Sequence, residues 1–255
     1  MPIAAEHRPQ LTLAEKPSFR PAAPADPTRS AARSSAPAPR LVRTSLAGIP
    51  ITAIAFDART HRLVVADQAD GPGSQWPDAQ SAATSQEGIA ALNGGFFTPE
   101  GQPLGLVASE GKQAGSVNRA SSLGSGFYMG GTTPALARRE SAPRGPELLQ
   151  SGPFLVEQGR PVAGLSTASS TARSFIGWDG SHGWFIARSG ACSLQSLAKA
   201  LASNELGGVP ARHVLNLDGG RSSDLWISRS IPGGPLEQRP PWNKPVRNFL
   251  VLLPR

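Results

Sequence analysis

The sequence predicts an α+β domain, a mixed β-sheet with few helices, preceded by a disordered tail rich in Pro, Ala and Arg. Most apolar runs after residue 45 are short and bounded by Gly, Pro, Asn or Asp, which is typical of strands and turns. Residues 194–201 alone carry a clear helical period. The first forty residues hold eight Pro and ten Ala without any apolar period. We therefore predict a tail or linker over 1–45 and one domain over 46–255.

The first half of the domain contains two features that matter for the fold. Residues 51–56 and 62–66 are β-rich runs, and the short connection between them predicts a hairpin. Residues 89–92 form an apolar run that stops abruptly at Asn93-Gly94-Gly95. A strand that ends there delivers one polar side chain and several backbone amides at its carboxyl end.

The second half predicts a hairpin and then a strand–helix–strand unit. Residues 175–178 and 184–187 form the hairpin, with a turn between them. In the helix, the apolar side chains follow i, i+3, i+4, i+7 spacing, Ser193 is the expected N-cap, and Gly207-Gly208 is the expected end.

A central strand is predicted over residues 214–217, and the helical connection before it is long enough for parallel pairing with 184–187. Ligands bind beyond the carboxyl ends of strands in such a layout. Asp218-Gly219-Gly220 follows at that position, and its glycines favour a concave nest of N–H groups for an anion. Residues 249–253 predict a last buried strand.

Charge and composition exclude several classes of function. The net charge is +7, but it is dispersed over the chain without a Lys/Arg run or a basic stripe with interleaved aromatics, which argues against a nucleic-acid partner. Cys192 is the single cysteine, so the chain has no internal disulfide and no Cys-based zinc site. No His-x-His pair or carboxylate cluster is present, so we expect no cofactor and no transition metal, with calcium left open.

Membrane and export signals are also missing from the sequence. No stretch reaches the roughly 18 consecutive apolar residues of a membrane span. The N-terminus lacks the apolar run of a secretory signal. We expect no membrane span, and no export route can be assigned from these residues.

Five blocks, taken together, resemble the phosphodiester glycosidase family. They are LNGGFF at 92–97, GLV to GK at 105–112, QSGPFLV at 150–156, Arg173 with Gly177, and LDGGRSS at 217–223. The resemblance runs in order from about residue 53 to 253. Arg221 departs from it, because many relatives carry a third Gly there.

The resemblance implies hydrolysis of a sugar-1-phosphodiester at the glycosidic bond, on an envelope or exopolysaccharide component outside the cytoplasm, either periplasmic or secreted. The residue inventory suits that chemistry. A phosphomonoester is a good leaving group, so the site needs positive charge and N–H donors around phosphate more than a strong general acid.

We predict three catalytic residues. Asp218 is the catalytic or sugar-orienting carboxylate, Asn93 orients substrate or stabilises charge, and Arg173 clamps phosphate through bidentate contacts. Trp226 is the candidate sugar-stacking platform. The predicted substrate-binding residues are Gly94, Gly95, Phe96, Ser151, Gly152, Gly219, Gly220, Ser222 and Ser223.

Less specific interpretations stay open for most of these residues. The two glycine motifs are also typical of plain tight turns. Arg173 is equally compatible with a surface position, and Ser151 with a local structural bond. At the level of the whole domain, the alternatives are a carbohydrate- or phosphate-binding module without activity and a phosphodiesterase that cleaves the P–O bond.

Overall fold

The computed structural model of the protein describes residues 36–255. These residues form nineteen strands, two α-helices and three short 3-10 helices. In chain order they are β1 (Arg40–Leu46), β2 (Ile49–Asp57), β3 (His61–Asp67), α1 (Ala79–Ser85), β4 (Ala90–Asn93), β5 (Val107–Ser109), β6 (Lys112–Ala114), a 3-10 helix (Ser122–Gly124), β7 (Gly126–Met129), β8 (Ala135–Arg138), a 3-10 helix (Arg139–Ser141), β9 (Leu148–Ser151), β10 (Phe154–Glu157), β11 (Arg160–Pro161), β12 (Ser174–Trp178), β13 (Gly183–Ser189), α2 (Leu194–Leu201), β14 (Glu205–Leu206), β15 (Val209–Pro210), β16 (His213–Asn216), a 3-10 helix (Gly220–Ser222), β17 (Leu225–Ile227), β18 (Leu236–Gln238) and β19 (Asn248–Pro254).

The strands form three main sheets and one small ribbon. Sheet A has seven strands in the order β1-β2-β13-β12-β16-β10-β11, sheet B has five in the order β18-β17-β4-β19-β3, and sheet C has five in the order β6-β5-β9-β7-β8. The ribbon pairs β14 with β15. The α+β architecture with few helices is therefore confirmed.

The core is layered between these sheets. One cluster joins the inner face of sheet A, through Ile54 and Trp184, to Leu92 of sheet B and Leu149 of sheet C. Helix α2 covers the outer face of sheet A, and helix α1 covers the outer face of sheet B. Strands buried on both faces explain the near-continuous apolar runs in β2 and β19.

Three strands from three different sheets end in the same region. Strand β4 of sheet B ends at Asn93, β16 of sheet A ends at Asn216, and β9 of sheet C ends at Ser151. The segments that follow β4 and β16 meet at one end of the sheets, as the hydrogen bonds below show. This end of the fold carries the candidate site.

Most of the predicted tail lies outside the described residues, but its boundary is wrong. Arg40–Leu46 forms β1, which pairs with β2 through a two-residue turn at Ala47 and Gly48. Both turn residues have positive φ, as this kind of hairpin requires. The strand lies at the edge of sheet A and is only partly buried, so its sequence lacks a strong apolar signal.

The hairpin predicted from residues 51–56 and 62–66 is also wrong. Strand β2 pairs with β1 and β13, whereas β3 pairs with β19 in the other sheet. The connection between them carries the chain from sheet A to sheet B. Since both strands are largely buried, each takes partners from elsewhere in the chain rather than from the other.

The strand–helix–strand unit forms with two differences. Ser193 caps α2 as predicted, its side chain accepting from the Ser196 amide. The helix ends at Leu201 with Ala202 as its C-cap, and Gly207-Gly208 forms the turn between β14 and β15 instead. Strands β13 and β16 run in the same direction but do not pair, because β12 lies between them and is antiparallel to both. Within the described part of the chain, no helix has the length and apolar character needed to cross a membrane.

Candidate active site

The two glycine motifs meet through direct hydrogen bonds. The Asp218 amide donates to the Gly94 carbonyl at 3.0 Å. The Asn93 side-chain nitrogen Nδ2 donates to the Asp218 carbonyl at 2.7 Å. The two corners, with Asn93 and Asp218 125 residues apart in the chain, are therefore in direct contact, as their assignment to one site requires.

Asn93 is the hub of this junction and is fully buried. Its Oδ1 atom accepts from the Ser174 hydroxyl at 2.6 Å and from the Asp224 amide at 3.1 Å. The Ser174 hydroxyl has one proton, which it donates to Asn93. The Ser223 hydroxyl, 3.3 Å away, is therefore the donor in its bond with Ser174. These bonds make Asn93 a positioning residue that holds the Asp218 segment, rather than the substrate-contacting residue that the sequence predicts.

Asn248 takes up both glycine amides of the first corner. Gly94 donates to the Asn248 carbonyl at 2.8 Å, and Gly95 donates to Oδ1 of the same residue at 2.8 Å. A Cβ atom at position 94 would overlap that Oδ1 atom, which explains the need for glycine. The prediction that these amides stay free for substrate is wrong.

The second corner also uses its own amides. Gly219 donates to Oδ1 of Asp218 at 2.9 Å, and Gly220 donates to the Ala172 carbonyl at 2.8 Å. Gly220 has a φ of +60°, which glycine adopts without strain. The predicted anion nest of Gly219 and Gly220 amides is therefore also wrong.

Asp218 is the half-buried carboxyl at the centre of the site. Burial raises its pKa to about 6, against the opposing effects of the Ser222 hydroxyl and the Gly219 amide. The group therefore titrates close to neutral pH and is ionised above about pH 6. The Ser222 hydroxyl hydrogen-bonds to the Asp218 carboxyl, whereas the Ser223 side chain is fully buried next to Ser174.

Arg173 lies beside the second corner but is mostly occupied. A Cβ atom on Gly219 would be 3.7 Å from Arg173 Cδ, which shows how close the side chain is. Its Nε atom donates to the Cys192 carbonyl at 3.1 Å, and Nη2 donates to the Ser169 carbonyl at 2.8 Å. The residue is 9% exposed, so the surface interpretation is wrong, and the geometry leaves Nη1 for a ligand.

Sheet C contributes the predicted Ser151-Gly152 segment. A Cβ atom on Gly95 would lie 3.0 Å from the Gln150 carbonyl, so β9 passes directly beside the first corner. Ser151 and Gly152 are buried, and the Ser151 hydroxyl has no hydrogen-bond partner in the described part of the chain. Phe96 is half-buried at the edge of the same corner.

Trp226 does not lie where a sugar-stacking platform is needed. In β17 it alternates with Leu225 and Ile227, which face the central core. Its own side chain packs on the opposite face of sheet B, against the cluster that includes α1. The predicted stacking role is therefore wrong.

Two carboxylates that support the site, Asp224 and Asp67, are not among the residues predicted from the sequence. Asp224 is 2% exposed, its Oδ2 atom accepts from the Ala79 amide at 2.9 Å, and burial raises its pKa to about 6. Asp67 forms a buried bidentate ion pair with Arg247 at 2.8 and 2.9 Å, next to Asn248. The one available signal was position, since Asp224 follows the Ser pair and Asn248 begins the last strand.

No group of three or more potential metal ligands was found among residues 36–255.

Comparisons with known proteins place this geometry in a family. The family model for phosphodiester glycosidases matches residues 86–253, which include both corners. No curated protein matches the chain in sequence. The chain is similar in fold to the catalytic domain of zebrafish N-acetylglucosamine-1-phosphodiester alpha-N-acetylglucosaminidase, auto-inhibited by its pro-peptide, with 16% identity, a TM-score of 0.62, and coverage of 87% of this chain and 85% of that one.

A hypothetical protein from Synechocystis is also similar in fold, with 20% identity and a TM-score of 0.56. That match covers 85% of this chain and 61% of the Synechocystis chain. The family model spans well over half of the present sequence, from strand β4 to strand β19. The chain therefore belongs to the phosphodiester glycosidase family.

Proposed function

We propose that the chain hydrolyses a sugar-1-phosphodiester at the glycosidic bond and releases a free sugar and a phosphomonoester. Membership of a hydrolase family supports the reaction class. The observation that carries the proposal is Asp218, a half-buried carboxyl with a pKa of about 6, held at the junction of two glycine corners. Buried carboxyl groups with strongly shifted pKa values are typical of catalytic sites.

The chemistry follows from the leaving group. Breaking the bond between the anomeric carbon and the phosphate oxygen leaves positive charge on the sugar ring and negative charge on phosphate. Ionised Asp218 stabilises the sugar side of this transition state. Water then adds its oxygen to the anomeric carbon, and the proton that it loses goes to the departing phosphomonoester dianion. Arg173, whose Nε and Nη2 atoms are bound to backbone carbonyls, would offer Nη1 to the departing phosphate, where a cation favours departure.

The substrate and its location form a further part of the proposal. N-acetylglucosamine is the first sugar to test, because the zebrafish protein of similar fold is named for that linkage. We propose an envelope or exopolysaccharide substrate and an extracytoplasmic site of action. Fractionation of cells that express the full chain tests the location, and recovery in the cytosol alone contradicts it.

The decisive experiment is turnover by wild-type protein and by Asp218→Asn across a panel of sugar-1-phosphodiesters. We expect the variant to lose at least about a thousandfold in kcat while its thermal unfolding stays close to wild type. Glu237→Gln is a matched control, since Glu237 is an exposed carboxylate on β18. Unchanged turnover in Asp218→Asn contradicts the assignment of Asp218.

Two further outcomes separate the alternatives. A wild-type protein that binds these compounds without releasing sugar is a binding module. Hydrolysis in oxygen-18 water tells the two bond cleavages apart: label in the sugar hydroxyl means that the C–O bond breaks, as proposed, and label in phosphate means that the P–O bond breaks.

A further inference from the structure

Arg188 is a half-buried arginine on β13 whose side chain has no partner among the described residues. Its Nε atom is shielded from solvent and has no hydrogen bond, and among residues 36–255 its guanidinium makes no ion pair. A buried donor left unpaired costs about 1–3 kcal/mol, and more for a charged group. The described part of the fold therefore supplies no hydrogen-bond partner that would offset the burial of this cation.

The register of sheet A places Arg188 at the candidate site. Arg188 alternates along β13 with Trp184 and Ile186, whose side chains belong to the central core, so it points into the same space between the sheets. Its direct neighbour on β12 is Ser174, whose hydroxyl bonds to Asn93. Adjacent strands lie about 4.8 Å apart, well within the reach of an arginine side chain.

The nearby acid does not pair with this arginine. Burial lowers the pKa of Arg188, and the negative charge of Asp224 acts in the opposite direction. The two side chains are therefore close neighbours. The Oδ2 atom of Asp224 accepts from the Ala79 amide, its Oδ1 atom is buried without a hydrogen-bond partner among the described residues, and the cation that favours its ionised form is Arg239. Since Asp224 and Arg188 form no salt bridge in the described part of the chain, the donors of Arg188 stay unpaired.

Arg173 makes a useful contrast within the same site. Two of its three nitrogens are bound to backbone carbonyls, so it holds the fold and offers one nitrogen. Arg188 offers Nε together with the rest of its fork. A planar fork with adjacent free donors matches the oxygen pair of a phosphate or carboxylate.

We infer that Arg188 is the main oxyanion-binding residue of the candidate site and that it receives the phosphoryl group of the substrate. This inference rests on the proposed function, because a phosphodiester is the anion that the site would hold. It assigns bidentate phosphate recognition to Arg188 and leaves Arg173 the smaller share.

Calorimetric titration with inorganic phosphate tests the inference without turnover. We expect Arg188→Gln to weaken phosphate binding by at least about tenfold, and Arg188→Lys to weaken it less, because a lysine keeps the charge but loses the fork. Arg229→Gln is the matched control at an exposed arginine and is expected to bind like wild type. Thermal unfolding of each variant reports whether it folds.

Three outcomes overturn the inference. One is wild-type protein that binds no phosphate, and the second is folded Arg188→Gln with unchanged phosphate affinity. The third is Arg188→Gln that loses binding of acetate but not of phosphate, since Arg188 then recognises a sugar carboxylate.

The outcome for the proposed function is distinguishable. Phosphate binding that depends on Arg188, in a protein that hydrolyses no sugar-1-phosphodiester, supports this inference and contradicts the enzyme. Turnover that is lost in Asp218→Asn, together with phosphate binding that is unchanged in Arg188→Gln, supports the proposed enzyme and contradicts the inference about Arg188.

Discussion

The Asn-Gly-Gly corner after β4 and the Asp-Gly-Gly corner after β16 look alike in sequence and differ in what they leave free. At the first corner, Asn93 is fully buried and bonded to its neighbours on both sides of its amide. At the second corner, Asp218 is half-buried and its carboxyl titrates near neutral pH. The two similar motifs thus differ in role: the first supports the fold of the site, and the second presents the carboxyl that we propose as the catalytic group.

This division depends on where each strand ends. Strand β4 lies between β17 and β19 in sheet B, so the residues after it are surrounded by neighbouring segments such as Asn248. The segment after β16 turns outward through Gly219 and a short 3-10 helix. Burial on all sides makes Asn93 structural, whereas partial burial makes Asp218 chemically useful.

The largest effect on the first corner is expected from Asn93→Ala. The substitution leaves the Asp218 carbonyl and the Asp224 amide without the partner that Asn93 provides, and it leaves the Ser174 hydroxyl with Ser223 alone. We expect a loss of about 2–4 kcal/mol in the free energy of unfolding, together with a lower kcat. Urea unfolding and steady-state kinetics measure the two effects.

Asn204→Ala serves as the control for this variant, since Asn204 makes one local side-chain bond, to the Ala200 carbonyl. A folded Asn93→Ala variant of wild-type stability that shows only a raised KM contradicts the structural role assigned to the first corner. It would mean that Asn93 binds substrate directly.

A smaller and pH-dependent effect is expected from Asp224→Asn. Burial raises the pKa of Asp224 from an ordinary 3.8 to about 6, so the folded state binds a proton more tightly than the unfolded chain. Its contribution to stability is therefore full below about pH 4 and is lost as the pH rises through 6, an effect of up to about 3 kcal/mol. The asparagine removes this loss while its oxygen still accepts from the Ala79 amide.

We expect the melting temperature of Asp224→Asn to fall less than that of wild type between pH 4 and pH 7. Asp70→Asn, at an exposed aspartate, is the control that should keep the wild-type slope. Identical slopes for wild type and Asp224→Asn contradict the burial argument for the supporting acid.

The sequence was enough to assign both corners to one site but not the role of each. Apolar runs that stop at Asn93 and at Asp218 mark strand ends, and strand ends gather at one side of a layered fold. The amides of Gly94 and Gly219 were predicted to be free because their acceptors, Asn248 and Asp218 itself, are known only once the chain has folded.

Arg188 escaped for a related reason. It follows Ile186 and Ala187 in β13, and nothing in the local sequence distinguishes it from an arginine whose side chain points into solvent. Its importance comes from the pairing of β13 with β12, which is a property of the sheet. Likewise, the polar residues of β1 gave no strand signal because an edge strand buries little.

The pH dependence of kcat/KM for a turned-over sugar-1-phosphodiester tests the central assignment most directly. The proposed reaction needs ionised Asp218, and burial raises the pKa of this carboxyl to about 6. The value of kcat/KM should therefore rise tenfold per pH unit below about pH 6 and level off above it. The same acid limb should persist in Asp224→Asn. A rate that falls as the pH rises through 6, or a profile without any limb near that value, would contradict the role of Asp218.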